Sequence, residues 1–106
     1  MFYEEYGSSE LPTIIMLHGG GLVHSFVNQY VLSDRFHLVI PHLYGNGRES
    51  HEKFDAIKNV NAIIKIINQI GKTKVSIVGF SIGAQLIIPL LCSNENLFDK
   101  AVLVSL

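Results

Sequence analysis

The chain has 106 residues, 48% of them hydrophobic and 16% charged, with a formal net charge of −1. That length permits one ordinary domain at most, and the apolar content excludes a disordered chain. Acids and bases are interspersed with no basic run to neutralise a row of phosphates, which argues against a nucleic-acid partner.

Cys92 is the only cysteine, so neither an internal disulfide nor a Cys-based zinc site can form. The opening "MFYEEYGSSE" lacks the apolar core of a signal peptide. The stretches "VNAIIKIINQI" and "SIGAQLIIPLLC" are too short or too interrupted to span a bilayer. These features lead to the expectation of a soluble cytoplasmic protein with no membrane span.

In chain order, "FYEEY" can add a short strand at the N-terminal edge. "TIIML", Thr13 to Leu17, is an unalternating apolar and β-branched run that stops at glycines, the pattern of a buried strand. Ser25 as N-cap, with Val27, Tyr30, Val31 and Asp34 at helical spacing, predicts a short helix. A second strand follows at about Leu38 to Ile40, then the glycine-rich loop "PHLYGNGRES". Phe54, Ile57, Val60, Ile63, Ile64, Ile67 and Ile70 share one face of an amphipathic helix that ends at Gly71. "KVSIVG" reads as a third buried strand, "SIGAQLIIPLLCS" as a third helix and "KAVLVSL" as a fourth strand reaching Leu106.

Strands alternating with helices of these lengths imply an α/β fold with a parallel sheet and helices on both faces, since each crossover needs about a dozen residues. The expected order sets the second strand on one side of the first, and the third and fourth on the other, and right-handed crossovers then fix the face that each helix covers. One helix then covers one face and two cover the opposite face. The undercovered face and the apolar last strand lead to the expectation of self-association.

Gly79-Phe80-Ser81-Ile82-Gly83 matches G-x-S-x-G in the required context, a buried strand before and a helix after. Ser81 in such a turn is a candidate nucleophile, and the N–H of Ile82, at a helix N-terminus, is a candidate oxyanion donor. The plainer alternative is a serine that caps the helix. His18-Gly19-Gly20-Gly21 ends the first strand, and its glycines allow a tight turn that brings the Gly20 N–H toward the same oxyanion. A phosphate-cradling loop is the rival reading, but neither G-x-G-x-x-G nor the P-loop lysine pattern is present. His18 itself reads as a structural, hydrogen-bonding histidine.

With these motifs in hand, the chain resembles the N-terminal half of an α/β-hydrolase-fold enzyme. "LHGGG" resembles that family's His-Gly oxyanion segment, "IPHLYGNGRES" its Pro-Asp-x-x-Gly-His-Gly-x-Ser loop and "GFSIG" its nucleophile elbow, in the family's order and spacing. The resemblance covers nearly the whole chain, so that residues 1–106 make one partial domain lacking the strands that carry the family's acid and histidine. It implies Ser81 as nucleophile, Gly20 and Ile82 as backbone oxyanion donors, and Gly79 and Gly83 as elbow glycines, with His18 and Gly19 supporting the loop. His42 stands where the family usually has aspartate, Asn46 where it often has histidine, and Pro89 interrupts the nucleophile helix.

No histidine follows Ser81, so the triad cannot be completed in family order. His18, His24, His42 and His51 remain as substitute bases, on loops at one edge of the sheet. Glu95 and Asp99 read as solvated loop acids, and Cys92 as a core residue of the apolar helix. The resulting expectation is a serine hydrolase acting on a small-molecule ester or related carbonyl, with no cofactor or metal implied and little activity in this chain alone. The alternative is a catalytically silent binding or interaction protein of the same fold, with a nucleotide-binding module ranked behind it.

Overall fold

A computed structural model describes residues 1–105. Five strands, β1 (Tyr3–Tyr6), β2 (Thr13–Leu17), β3 (His37–Pro41), β4 (Val75–Phe80) and β5 (Phe98–Val104), form one sheet in the order β1-β3-β2-β4-β5. The helices α1 (Ala56–Ile70) and α2 (Ile82–Asn94) flank it, together with a 3₁₀ helix at Val27–Asp34 and two short 3₁₀ turns. Neighbours among β2 to β5 pair in parallel, as the crossovers require, and β1 adds an antiparallel edge through Tyr3 opposite Pro41 and Tyr6 opposite Leu38. The fold is α/β with a mostly parallel sheet, in the expected strand order. Leu106, expected to end the last strand, lies outside the described residues.

Strand pleating sends successive side chains to opposite faces, which divides the core in two. Ile15, Leu17, Val39 and Ile77 face α1 and α2 and pack with Ile63, Ile67, Ile87 and Leu90. Met16, Leu38 and Ile40 face the other way, against Phe26, Tyr30 and Phe36 in and beside the 3₁₀ helix. The second layer is thin because the expected first helix is a 3₁₀ helix with no buried residue. Val27 and Val31, placed at helical spacing in the sequence, are 53% and 74% exposed. Ser25 does not cap it either: its hydroxyl accepts from the Gly19 N–H and donates to the Leu22 carbonyl. A serine tied to the preceding glycine loop has no hydroxyl left for a helix end.

Helix α1 is capped by Asp55, whose carboxylate accepts from the Lys58 N–H, and ends at Gly71 in a left-handed conformation. Its buried side is Asn59, Ile63, Ile66 and Ile67, so Phe54 and Ile57 at the N-terminal end stay exposed. Asn59 displaces the apolar stripe there because it accepts from the Tyr44 N–H and donates to the Asp55 carbonyl, satisfying its amide while fully buried.

Helix α2 runs unbroken through Pro89. Pro89 and Gln85, whose carbonyl loses its partner, both lie on the solvent side, so the unpaired carbonyl is not sealed in the core. Cys92 is also exposed, contrary to the core placement expected from the apolar sequence around it. A helix apolar on nearly every side does not reveal which side is buried. Asp99 belongs to β5 rather than to a loop, and it and Glu95 are both exposed. No helix among the described residues is long and apolar enough to cross a membrane.

The thin layer leaves a cavity of about 980 Å³ along the sheet, floored by Ile14, Val78, Phe80, Val102 and Val104. Val102, 54% exposed on the edge strand β5, is the test point. Val102→Lys is expected to lower concentration-dependent association in sedimentation velocity while changing stability by less than about 0.5 kcal/mol.

Candidate active site

Strand β4 passes into α2 through a single residue. Ser81 has φ 55 and ψ −115, a conformation costing a non-glycine residue on the order of 1–3 kcal/mol. Two backbone bonds hold it there: its N–H donates to the Val104 carbonyl at 2.9 Å, and its carbonyl accepts from the Gln85 N–H at 3.1 Å. The side chain makes no capping bond to α2.

This turn needs glycine on both sides. A Cβ on Gly79 would lie 2.6 Å from the Gly83 carbonyl carbon, and one on Gly83 would overlap the Leu17 carbonyl. Helix, β4 and the end of β2 are therefore in backbone contact. That contact sets the glycine loop after β2 beside the elbow, with Gly19 against the Phe80 ring and Gly20 facing the Ile82 side chain.

Three side chains tie down the loop. The Gly19 N–H goes to Ser25 Oγ, the Gly21 N–H goes to Asn46 Oδ1 at 2.6 Å, and the Gly19 carbonyl accepts from both Leu22 N–H and the His18 ring. Among the described residues, no hydrogen bond engages the Gly20 N–H. Ile82, as first residue of α2, likewise has no intrahelical partner for its N–H. The site thus combines an uncapped hydroxyl on a strained turn with two free amides close by.

The histidines proposed as substitute bases lie elsewhere in the bonding network. His18 is fully buried, and its Nε2 accepts from the Leu43 N–H at 3.0 Å, so the ring proton sits on Nδ1 and is donated to the Gly19 carbonyl at 2.7 Å. Burial lowers its pKa, with the nearby His42 and His24 acting in the same direction against the Gly19 hydrogen bond. It is a neutral imidazole with both nitrogens engaged. His42 accepts from the Arg48 N–H through Nδ1 and meets the Glu4 carboxylate through Nε2 at 2.6 Å. His24 lies 3.5 Å from the same carboxylate, and His51 is an exposed residue 3.9 Å from Glu49. Among the described residues none bonds to Ser81 Oγ.

Glu4 is the partner of His42 and His24 that sequence reading missed. Burial raises its carboxyl, but the hydrogen bonds from His42 and Tyr6 outweigh this and leave its pKa below the ordinary value. It fastens β1 to the loop after β3, and the only signal in the sequence was an acid on an expected edge strand.

A profile of the alpha/beta hydrolase fold family matches residues 12–106. The chain belongs to the α/β-hydrolase fold family. Solved hydrolases superpose closely on it. A thioesterase domain from the curacin biosynthetic pathway shares 25% identity at a TM-score of 0.82, over 96% of this chain and 40% of that one. A 2-hydroxy-6-oxo-6-phenylhexa-2,4-dienoate hydrolase from a Rhodococcus strain shares 25% at 0.79, over 92% and 39%. An epoxide hydrolase mutant from Vigna radiata shares 23% at 0.85, over 98% and 34%, a likeness of fold. The α/β-hydrolase chain described here therefore spans about two fifths or less of the length of these structures. No curated protein sequence matches it.

Two outcomes test this arrangement. Gly83→Ala is expected to destabilise by about 2 kcal/mol or more, read from urea midpoints, because its methyl meets rigid backbone. His18 is stabilising in its neutral form, so its contribution is full above the ordinary value of about 6.5 and is lost as pH falls from there toward its lower folded value. Urea midpoints at about pH 7.5 and about pH 5.5 should show this loss, and His18→Asn should reduce it.

Proposed function

We propose that this chain carries the nucleophile-bearing part of a serine hydrolase that acts on a small-molecule ester or related carbonyl. The observation that supports the reading best is Ser81 itself, held at φ 55 with its hydroxyl capping nothing. A serine serving only as helix cap would spend its oxygen on the N–H groups of α2 and would need no strained backbone.

In this reading Ser81 Oγ attacks the carbonyl carbon and its proton passes to a general base. The bond to the leaving group then breaks, and water releases the acyl group by the reverse sequence. The Gly20 and Ile82 N–H groups hold the oxyanion of the tetrahedral intermediate, where one donor is typically worth about 10²–10³ in rate. Gly79 and Gly83 permit the elbow, and His18 and Gly19 support the loop. The chemistry asks for no cofactor.

The buried histidines do not supply the base: both ring nitrogens of His18 and of His42 are engaged, and neither bonds to Ser81. A serine without its base keeps only the part of catalysis that comes from binding and the oxyanion site, about 10³–10⁴ over water. A second reading, a catalytically silent protein that binds through its loops and open sheet face, is favoured by the apolar cavity of about 980 Å³ along the thinly covered side of the sheet.

The two readings separate by experiment. The 106-residue chain is expected to turn over activated esters barely and to label weakly with a serine-directed phosphonate. Fusion to the C-terminal segment of a related hydrolase, bearing its acid and histidine, should raise both, and Ser81→Ala should abolish the gain. A fusion that hydrolyses nothing, with labelling indifferent to Ser81→Ala, would favour the silent protein. Brisk labelling of the unfused chain that depends on Ser81 would show that an upstream histidine serves as base.

A further inference from the structure

The glycine loop contains three consecutive amides, at Gly19, Gly20 and Gly21, and two of them are taken by side chains from different parts of the fold. Ser25 Oγ accepts from Gly19, within the same loop. Asn46 Oδ1 accepts from Gly21 at 2.6 Å across a separation of 25 residues, from the loop after β3. The carboxamide donates in turn to the Tyr44 carbonyl at 3.4 Å, and the backbone beneath it is anchored. The Asn46 N–H donates to the Leu43 carbonyl at 3.0 Å and the Asn46 carbonyl accepts from Glu49 N–H at 2.8 Å. The surrounding loop is fastened in turn by His42 to the Arg48 N–H and by Asn59 to the Tyr44 N–H.

We infer that Asn46 is a positioning residue for the Gly20 amide: by holding the Gly21 N–H it fixes the Gly20–Gly21 peptide, completing from the far side the hold that Leu22 and His18 exert on the Gly19 carbonyl, and leaves the Gly20 N–H as the free donor beside Ile82. This inference rests on the proposed role of Ser81 and the two free amides. Its physical basis is preorganisation. A backbone donor serves a developing oxyanion only when its direction is set beforehand, and a glycine loop sets no direction by itself. The peptide that carries the Gly20 N–H is held at its own carbonyl, that of Gly19, by the Leu22 N–H and the His18 ring, and Asn46 holds the next peptide through the Gly21 N–H, so both sides of Gly20 are fixed. The side chain touches no reacting atom and acts through Gly21.

The test uses phenylboronic acid, whose boron accepts the Ser81 oxygen as a fourth ligand while the hydroxyl proton passes to buffer, giving a tetrahedral anion at the site. Binding is followed through the amide signals of Gly20, Gly21 and Ile82 in nitrogen-15 spectra of the 106-residue chain. Wild type is expected to show downfield shifts of both the Gly20 and Ile82 amide protons on binding. In Asn46→Ala the Gly20 shift should shrink markedly while the Ile82 shift persists in full, and the boronate should bind about fivefold more weakly, the size of one hydrogen bond. Asn46→Asp keeps the acceptor and should restore the Gly20 shift. A variant that merely loosened the fold would lose both shifts together, so the split between them reports positioning.

Retained Gly20 shift and unchanged affinity in Asn46→Ala, with binding still abolished by Ser81→Ala, would overturn the role of Asn46 and leave that of Ser81 intact. Loss of both amide shifts in Asn46→Ala, or no recovery of the Gly20 shift in Asn46→Asp, would likewise overturn positioning by Asn46. Absence of boronate binding to wild type, or binding indifferent to Ser81→Ala, would overturn the reading of Ser81 and this inference with it.

Discussion

Helix α2 approaches the end of β2 so closely that no side chain fits between them, and most of what is distinctive about this chain follows from that approach. Gly83 lies on the Leu17 and His18 carbonyls, and Gly79 lies on the first turn of the helix. To enter such a helix from β4, the chain must turn within one residue, and Ser81 takes the strained conformation. The same contact places the loop after β2 against Phe80 and Ile82. Strain at Ser81 persists because buried packing on both sides of it, through Ile77, Ile87 and Leu90, holds the flanking elements in place.

Polar side chains in this chain serve the loops rather than the elements. His18, Asn59, Ser25 and Asn46 each satisfy backbone groups of segments that have no ladder or helix of their own. Buried backbone amides must find partners, and a glycine-rich loop at a sheet edge has none in its own backbone. His18 shows the consequence for chemistry. An imidazole that donates from one nitrogen and accepts at the other, out of water, is a strut and holds no free lone pair for a proton. Membership of the α/β-hydrolase fold family accounts for the scaffold on which these struts stand, and the solved relatives, a thioesterase, a dienoate hydrolase and an epoxide hydrolase by name, show that the scaffold does not select one substrate.

The two faces of the sheet are unequally covered for a reason visible in the helices. Isoleucine and leucine repeat at helical spacing along α1 and α2 and give each a broad apolar surface for the sheet. The segment after β2 has Asn28, Gln29, Ser33 and Asp34 among its apolar residues, and it settles as a 3₁₀ helix whose neighbours Phe26 and Phe36 do the packing.

Periodicity was enough to read the α/β class, the end of α1 at Gly71 and the elbow motif from the amino acids, because each depends on local spacing. The start of α1 escaped that reading, since Phe54, expected on its face, precedes the Asp55 cap. Which side of α2 is buried was not readable: a helix apolar all round carries no marker, and only contact with the sheet put Leu90 inside and Cys92 outside. The character of Val27–Asp34 was not readable either, because Ser25 had already been claimed by the Gly19 amide. The amino acids placed a serine between two glycines, and an asparagine far along the chain from a glycine loop. Only the tertiary structure decided that the serine hydroxyl caps nothing and that the asparagine meets the loop, since both depend on which backbone groups remain unpaired after the chain has folded.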